Sequence, residues 1–243
     1  MVYNKYRTYC KKILQDGAII QVRMDSTRYP NKATEQIWDH PLLWHVIKRT
    51  KKLKMPVIVA TTKRELDDPI IEISEKLDVK TFRGSTNDLL DRYYQCAKQF
   101  QIKNIFRVTA DSPLLDPRQS SKVVTELHSG KYDYVKMGTS FPIGTGIEGF
   151  TFAALEKAHK ESKNSFEHEH VTIFFKEHKN NFKIKIIESE FGIVGKHWTI
   201  ENPNDIKFMR EIFSSINKEF FFTEEIFELL KTKPHLNEFN SLE

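Results

Sequence analysis

Cysteine is nearly absent from these 243 residues: Cys10 and Cys96 stand alone. Two are too few for a disulfide framework and lack metal-ligand spacing, so both read as reduced thiols. No apolar run approaches the roughly 20 residues a bilayer span requires, and the first residues lack the apolar stretch of a signal peptide. A cytoplasmic location without integral membrane contact is therefore expected. Nucleic-acid motifs are also missing, and the lysines are spread along the chain rather than gathered in one arm. The net charge of +5 thus points to small anionic substrates and away from nucleic acid. Eighteen phenylalanines invite a base-stacking surface, but most fall at core-like spacings and predict packing instead.

What is present begins with a 39% apolar content, enough for a proper core in one large α/β domain. Residues 1–16 read as an N-terminal extension in which Tyr3, Tyr6, Ile13 and Leu14 among Lys5, Arg7, Lys11 and Lys12 fit one face of a basic amphipathic helix. The apolar run of Ala18 to Val22 predicts a buried strand. A helix follows, with Asp39 expected as its cap, Pro41 near its first turn, and Leu42, Leu43, Val46, Ile47 and Leu53 on its apolar face. Val57 to Ala60 predict a second strand, residues 68–77 a helix, and Val79 to Phe82 a third strand. This alternation calls for a parallel sheet with right-handed crossovers. Further on, Ile105 to Thr109 predict a fourth strand and Tyr132 to Val135 a fifth. Phe182 to Ile187 and Lys196 to Ile200 read as two more, and Asn202 before Pro203 marks a helix start.

The first strand opens into a cationic loop. Arg23, Arg28 and Lys32 lie there with Ser26 and Thr27, and Pro30 ends the segment. Arginine offers a planar fork to phosphate oxygens, lysine a compact charge, and a loop after a strand aims backbone N–H groups at the same oxygens. That loop has no glycine, which excludes both the dinucleotide fingerprint and the Lys-Ser/Thr phosphate loop at this place. Asp111 follows the fourth strand, at the carboxyl edge where open α/β sheets bind ligands, whereas Asp116 before Pro117 reads as a helix cap. In Glu167-His168-Glu169-His170-Val171, two histidines two residues apart on a helix face different sides. Val171, Phe174 and Phe175 favour a helix there, so a shared metal is not expected.

Three stretches together resemble one family. Gln-x-Arg-Met-x-Ser-Thr-Arg-x-Pro-x-Lys from Gln21, FRGSTNDLLDRYYQCAK from Phe82, and Thr-Ala-Asp-Ser-Pro from Thr109 resemble cytidylyltransferases that activate sugars. The likeness is to the spore-coat polysaccharide branch related to Kdo and acylneuraminate enzymes, and it covers about residues 17–236, leaving 237–243 as a tail. It implies a three-layer nucleotide-diphospho-sugar transferase-like α/β fold with a mainly parallel sheet, its site at the carboxyl edge. It also implies CMP transfer from CTP to an acidic or phosphorylated sugar, magnesium as cofactor, and a homodimer whose flap is a small antiparallel part near residues 140–200. Gln21, Arg23, Met24, Ser26, Thr27, Arg28, Lys32, Arg83, Ser85, Arg92 and Thr109 would contact the nucleotide. Arg23, Lys32 and Asp111 would carry catalysis, Glu148 and His170 would face the sugar, and Asp111 with Glu201 would hold the metal. Two positions depart from the pattern: Gly146 and Glu201 stand where the family has aspartates. A glycosyltransferase on the same fold would carry an Asp-x-Asp pair, which this chain lacks, and a nucleotide-binding protein without catalysis is the remaining alternative.

Overall fold

The computed structural model describes residues 16–189 and 195–240, so the expected N-terminal helix and Cys10 lie outside the described residues. Consecutive apolar residues of the first strand, β1 (Asp16–Gln21), and of its successors point to opposite faces. Ala18 and Ile20 enter one core, and Ile19 enters another on the opposite face. The same division holds for β4 (Val57–Thr62), which is buried along its whole length, and for β6 (Asn104–Thr109). A strand that must satisfy two apolar faces is covered on both, and truncating a fully buried isoleucine in such a place to alanine costs about 2–5 kcal/mol.

Seven strands form the main sheet in the order β5, β4, β1, β6, β8, β7, β9, where β5 is Lys80–Gly84, β7 Tyr134–Met137, β8 Glu148–Thr151 and β9 Ile184–Ile187. Every neighbouring pair is parallel except those of β8, which runs antiparallel to β6 and β7. One face is covered by α1 (Leu42–Lys51), α2 (Asp68–Lys76), α4 (Pro117–His128), α8 (Pro203–Ile216) and α9 (Thr223–Thr232). The other is covered by α3 (Leu89–Gln99), α5 (Phe152–Glu161) and α7 (Ile173–Glu177). This is the three-layer α/β architecture expected of the chain. The antiparallel element expected near residues 140–200 is β8, and it lies inside the sheet. No helix among the described residues is long and apolar enough to cross a membrane.

Three local expectations need correction. Asp39 does not cap α1: it sits in the turn of a small hairpin formed by β2 (Gln36–Ile37) and β3 (His40–Pro41), and α1 begins after Pro41. Trp38 makes that turn with a left-handed φ of 53°, a conformation a bulky residue adopts only under tertiary constraint. Residues 196–200 form no strand of the sheet among the described residues: an isolated bridge pairs His197 with Ile143, and Ile200 N donates to Asp111 O. The helix favoured around residues 167–171 and Phe175 is broken into α6 (Ser165–Glu169) and α7, with Val171 in neither, because the chain leaves helical geometry at His170 and the Thr172 hydroxyl turns to Glu148. Asp116 and Asn202 do cap α4 and α8, as their places before proline predict.

Candidate active site

At the carboxyl end of β1 the chain enters the cationic loop, which closes on itself through Asn31 N donating to Met24 O at 2.7 Å. Asn31 takes a φ of 60°, and Met24 is buried. Burying Met24 fixes the loop to the body and leaves Arg23 and Ser26 half-buried, with Thr27 and Arg28 exposed. Lys32 sits just beyond. Its ammonium donates to Ile200 O at 2.6 Å and lies 3.4 Å from Asp111 Oδ2. With a side chain only 15% exposed, this cation has lost most of its water and gains from a carbonyl and a carboxylate in return.

Asp111 stands where β6 ends. Its Oδ1 accepts from the Ser112 hydroxyl at 3.2 Å, and Ser112 Oγ lies 3.0 Å from Thr109 Oγ1. The backbone bond from Ile200 N to Asp111 O, 2.9 Å long, places Glu201 next to this carboxylate although 90 positions separate the two in the chain. Glu201 pairs with Arg28 across the front of the loop and lies 3.6 Å from His197 Nε2. Thus Arg28, Lys32, Asp111 and Glu201, found separately in the sequence, form two ion pairs, Arg28–Glu201 and Lys32–Asp111, joined through the backbone of Ile200. Asp205, the N3 residue of α8, sets the approach of Glu201 by accepting from its backbone N at 2.7 Å.

A second polar cluster surrounds Glu148, and of its members the sequence motifs mark only Gln21 and Glu148. Gln21 Oε1 accepts from Arg107 Nε at 3.0 Å, and Arg107 pairs in turn with Glu148, its register partner on β8. Tyr134 donates its hydroxyl to Glu148, Thr172 donates at 3.2 Å, and Lys176 Nζ lies 3.6 Å away. Burial pushes the Glu148 carboxyl up, but Arg107, Lys176 and the Tyr134 hydroxyl outweigh it and hold it down at about 2. Arg107 carries no motif. The signal that could have found it is a charged residue inside an otherwise apolar strand. His170, expected beside the sugar, is exposed and packs edge-on against Phe166 at 4.6 Å. Its neighbour His168 instead pairs with Asp88, at 2.7 Å, so the two histidines serve different partners.

The second motif is organised as a frame. Asp88 caps α3 by accepting from Asp91 N at 2.7 Å, and Asp88 N donates to Ser85 Oγ. Arg92 is buried, and its guanidinium donates to Ser85 O at 2.9 Å and Thr86 O at 3.3 Å. Arg92 therefore shapes the loop from inside. Arg83 turns to the segment after β4, pairing with Asp68 and donating to Arg64 O at 3.0 Å. Gly146 is tightly enclosed: a Cβ there would lie 1.8 Å from Met137 Sδ, so Met137 fills the space a longer residue would need.

Asp111 and Glu201 offer hard oxygen donors on adjoining backbone, 24% and 29% exposed, each balanced by a cation. This donor set fits magnesium, which takes one or two carboxylates and keeps several waters.

Comparison with known proteins agrees with the geometry. The profile described as Cytidylyltransferase matches residues 17–237. The chain is 35% identical to an uncharacterized protein of Methanocaldococcus jannaschii, over 92% of this chain and 93% of the other. It is 24% identical to the spore coat polysaccharide biosynthesis protein SpsF of Bacillus subtilis, over 80% and 85% of the two. Among solved structures, a cytidylyltransferase from Leptospira borgpetersenii superposes with a TM-score of 0.87 at 30% identity, covering 92% of this chain and 96% of that one. With both the matched profile and the superposed fold running through the loops of Arg23, Arg83 and Asp111, the chain belongs to the cytidylyltransferase family.

Proposed function

We propose that this nucleotidyltransferase moves CMP from CTP to an acidic or phosphorylated sugar and that the cationic loop with Asp111 and Glu201 is where it does so. An oxygen of the sugar forms a bond to the α-phosphorus, the bond from that phosphorus to the bridging oxygen breaks, and pyrophosphate leaves. Such a step asks for positioning and charge neutralisation more than for covalent help. In this reading Arg23 and Arg28 take the β- and γ-phosphates, and Lys32, held by Ile200 O, adds a fixed charge between loop and carboxylate. The observation that carries this reading is that Lys32 contact, because it ties the phosphate-suited loop to Asp111.

Magnesium on Asp111, with Glu201 as a weaker and longer ligand, would neutralise charge on the phosphoryl oxygens. Arg28 and Glu201 pair across the same space; with nucleotide bound, Arg28 would turn to the phosphate and Glu201 would be left to help hold the metal. In the same reading Glu148, with Lys176 Nζ 3.6 Å away, serves the acceptor sugar, and Met137 fills the space beside Gly146 where the family pattern has an aspartate. The relation to a spore coat polysaccharide protein supports a role in surface polysaccharide or glycoconjugate synthesis. A homodimer belongs to the same proposal and is read from mass by light scattering.

Pyrophosphate release with each of CTP, UTP, ATP and GTP against a panel of acidic and phosphorylated sugars tests the reading. CTP with at least one such sugar is expected to give turnover well above the other nucleotides. Equal turnover with all four, or with neutral sugars alone, contradicts it.

A further inference from the structure

The cationic loop is buttressed by a segment that no motif marks. After β4 the chain runs through Lys63 to Asp67, and Asp67 is fully buried. Its Oδ1 accepts from Met24 N at 2.7 Å, and its Oδ2 takes the Thr62 hydroxyl and lies 3.4 Å from Arg64 Nη2. Arg64 forks onto Asp25, with Nη2 donating to Oδ1 at 2.6 Å and Nη1 to Oδ2. Its own place is fixed, since Nε donates to Thr62 Oγ1 at 3.1 Å and its carbonyl accepts from Arg83.

Asp25 lies two residues from Arg23, the cation assigned to the phosphates. Arg23 reaches it through Nε at 3.6 Å, a loose contact beside the fork that Arg64 makes. A free carboxylate at that spot would draw the Arg23 guanidinium into an ion pair and spend the charge a phosphate needs. A planar fork satisfies both oxygens of a carboxylate at once.

We propose that Arg64 is a positioning residue for the nucleotide's phosphates: by occupying both oxygens of Asp25 it keeps Arg23 from closing its 3.6 Å contact into a tight ion pair, while Asp67 fixes the backbone from which Arg23 projects. This rests on the reading that the loop binds the triphosphate of CTP. Asp25 is held below the usual carboxylate range, first by its hydrogen bonds with Arg64, in keeping with a carboxylate committed to that partner.

Calorimetric titration of the full chain with CTP, and separately with tripolyphosphate, tests it. Arg64→Met is expected to weaken both ligands about tenfold, because the released carboxylate neutralises Arg23. Adding Asp25→Asn to that variant removes the competing charge and should restore affinity to within about twofold of wild type. Asp25→Asn alone should bind at least as tightly as wild type. Arg64→Lys, which retains a charge but not the fork, should lose less and be rescued by the same second change. A double variant as weak as Arg64→Met overturns the proposal, since it means that Arg64 meets the phosphate itself or merely supports the fold. Unchanged affinity in Arg64→Met overturns it as well. If wild type binds neither CTP nor tripolyphosphate, the triphosphate reading fails and takes this inference with it; if wild type binds and the rescue is missing, this inference alone fails.

Discussion

Glu148 illustrates how a single charge is afforded inside the fold. Its side chain is 17% exposed, and the carboxylate survives there because Arg107, Tyr134, Thr172 and Lys176 surround it. Its carboxyl is held at about 2 against an ordinary value of 4.5, so the stability it contributes is fully present above pH 4.5 and is lost as pH falls toward 2. Glu148→Gln leaves Arg107 uncompensated and should cost about 3 kcal/mol at pH 7. Chemical denaturation at a series of pH values should show the gap between wild type and variant closing from pH 4.5 downward. A gap independent of pH would mean that the carboxylate charge does not contribute. Arg107 stands out in the sequence as a charge within a strand, but its pairing with Glu148 could not be read there, because it comes from strand register across 41 positions. Arg23, Arg28 and Lys32 could, since they crowd one loop after an apolar run.

Elements were legible where their pattern is local. β1, β4, β5 and β6 with the helices between them follow from apolar runs and periodicity, and the caps Asp116 and Asn202 from their places before proline. The hairpin of β2 and β3 was not legible, because each strand has two residues and its turn forces Trp38 into a left-handed conformation. The segment 196–200 alternates like a strand yet spends its backbone on Ile143 and Asp111, which only the tertiary fold specifies. At the start of α8, element and site meet. Asn202 Oδ1 accepts from Asn204 N at 2.8 Å, and Asp205 Oδ2 accepts from both Asn202 N and Glu201 N. Asn202→Ala should therefore cost about 1 kcal/mol of stability, as for a lost cap. Asp205→Ala should cost more, near 2 kcal/mol, and also lower transferase turnover, because it frees the backbone of Glu201 as well as the helix end. Thermal unfolding beside pyrophosphate release checks both. Equal turnover in the two variants would show that the capping box does not set the carboxylate.

Over the whole molecule, the parallel part of the sheet determines where chemistry is possible. Strands β1, β4, β5 and β6 end at one edge, and their loops deliver Arg23, Arg64, Ser85 and Asp111 to it. Residue 201 reaches the same edge without a strand, through the hydrogen bond of Ile200 to Asp111. Ligand binding at the carboxyl edge is general for open α/β sheets, and the specific content here is the convergence of a cationic loop on a carboxylate. The central claim is that this convergence performs nucleotidyl transfer, and Asp111→Asn tests it most directly, since the change keeps the side chain's size and removes its charge. CTP affinity by calorimetry and pyrophosphate release are measured on the same folded variant. The account predicts that Asp111→Asn retains CTP binding through the loop and loses nearly all turnover; turnover close to that of wild type would contradict it.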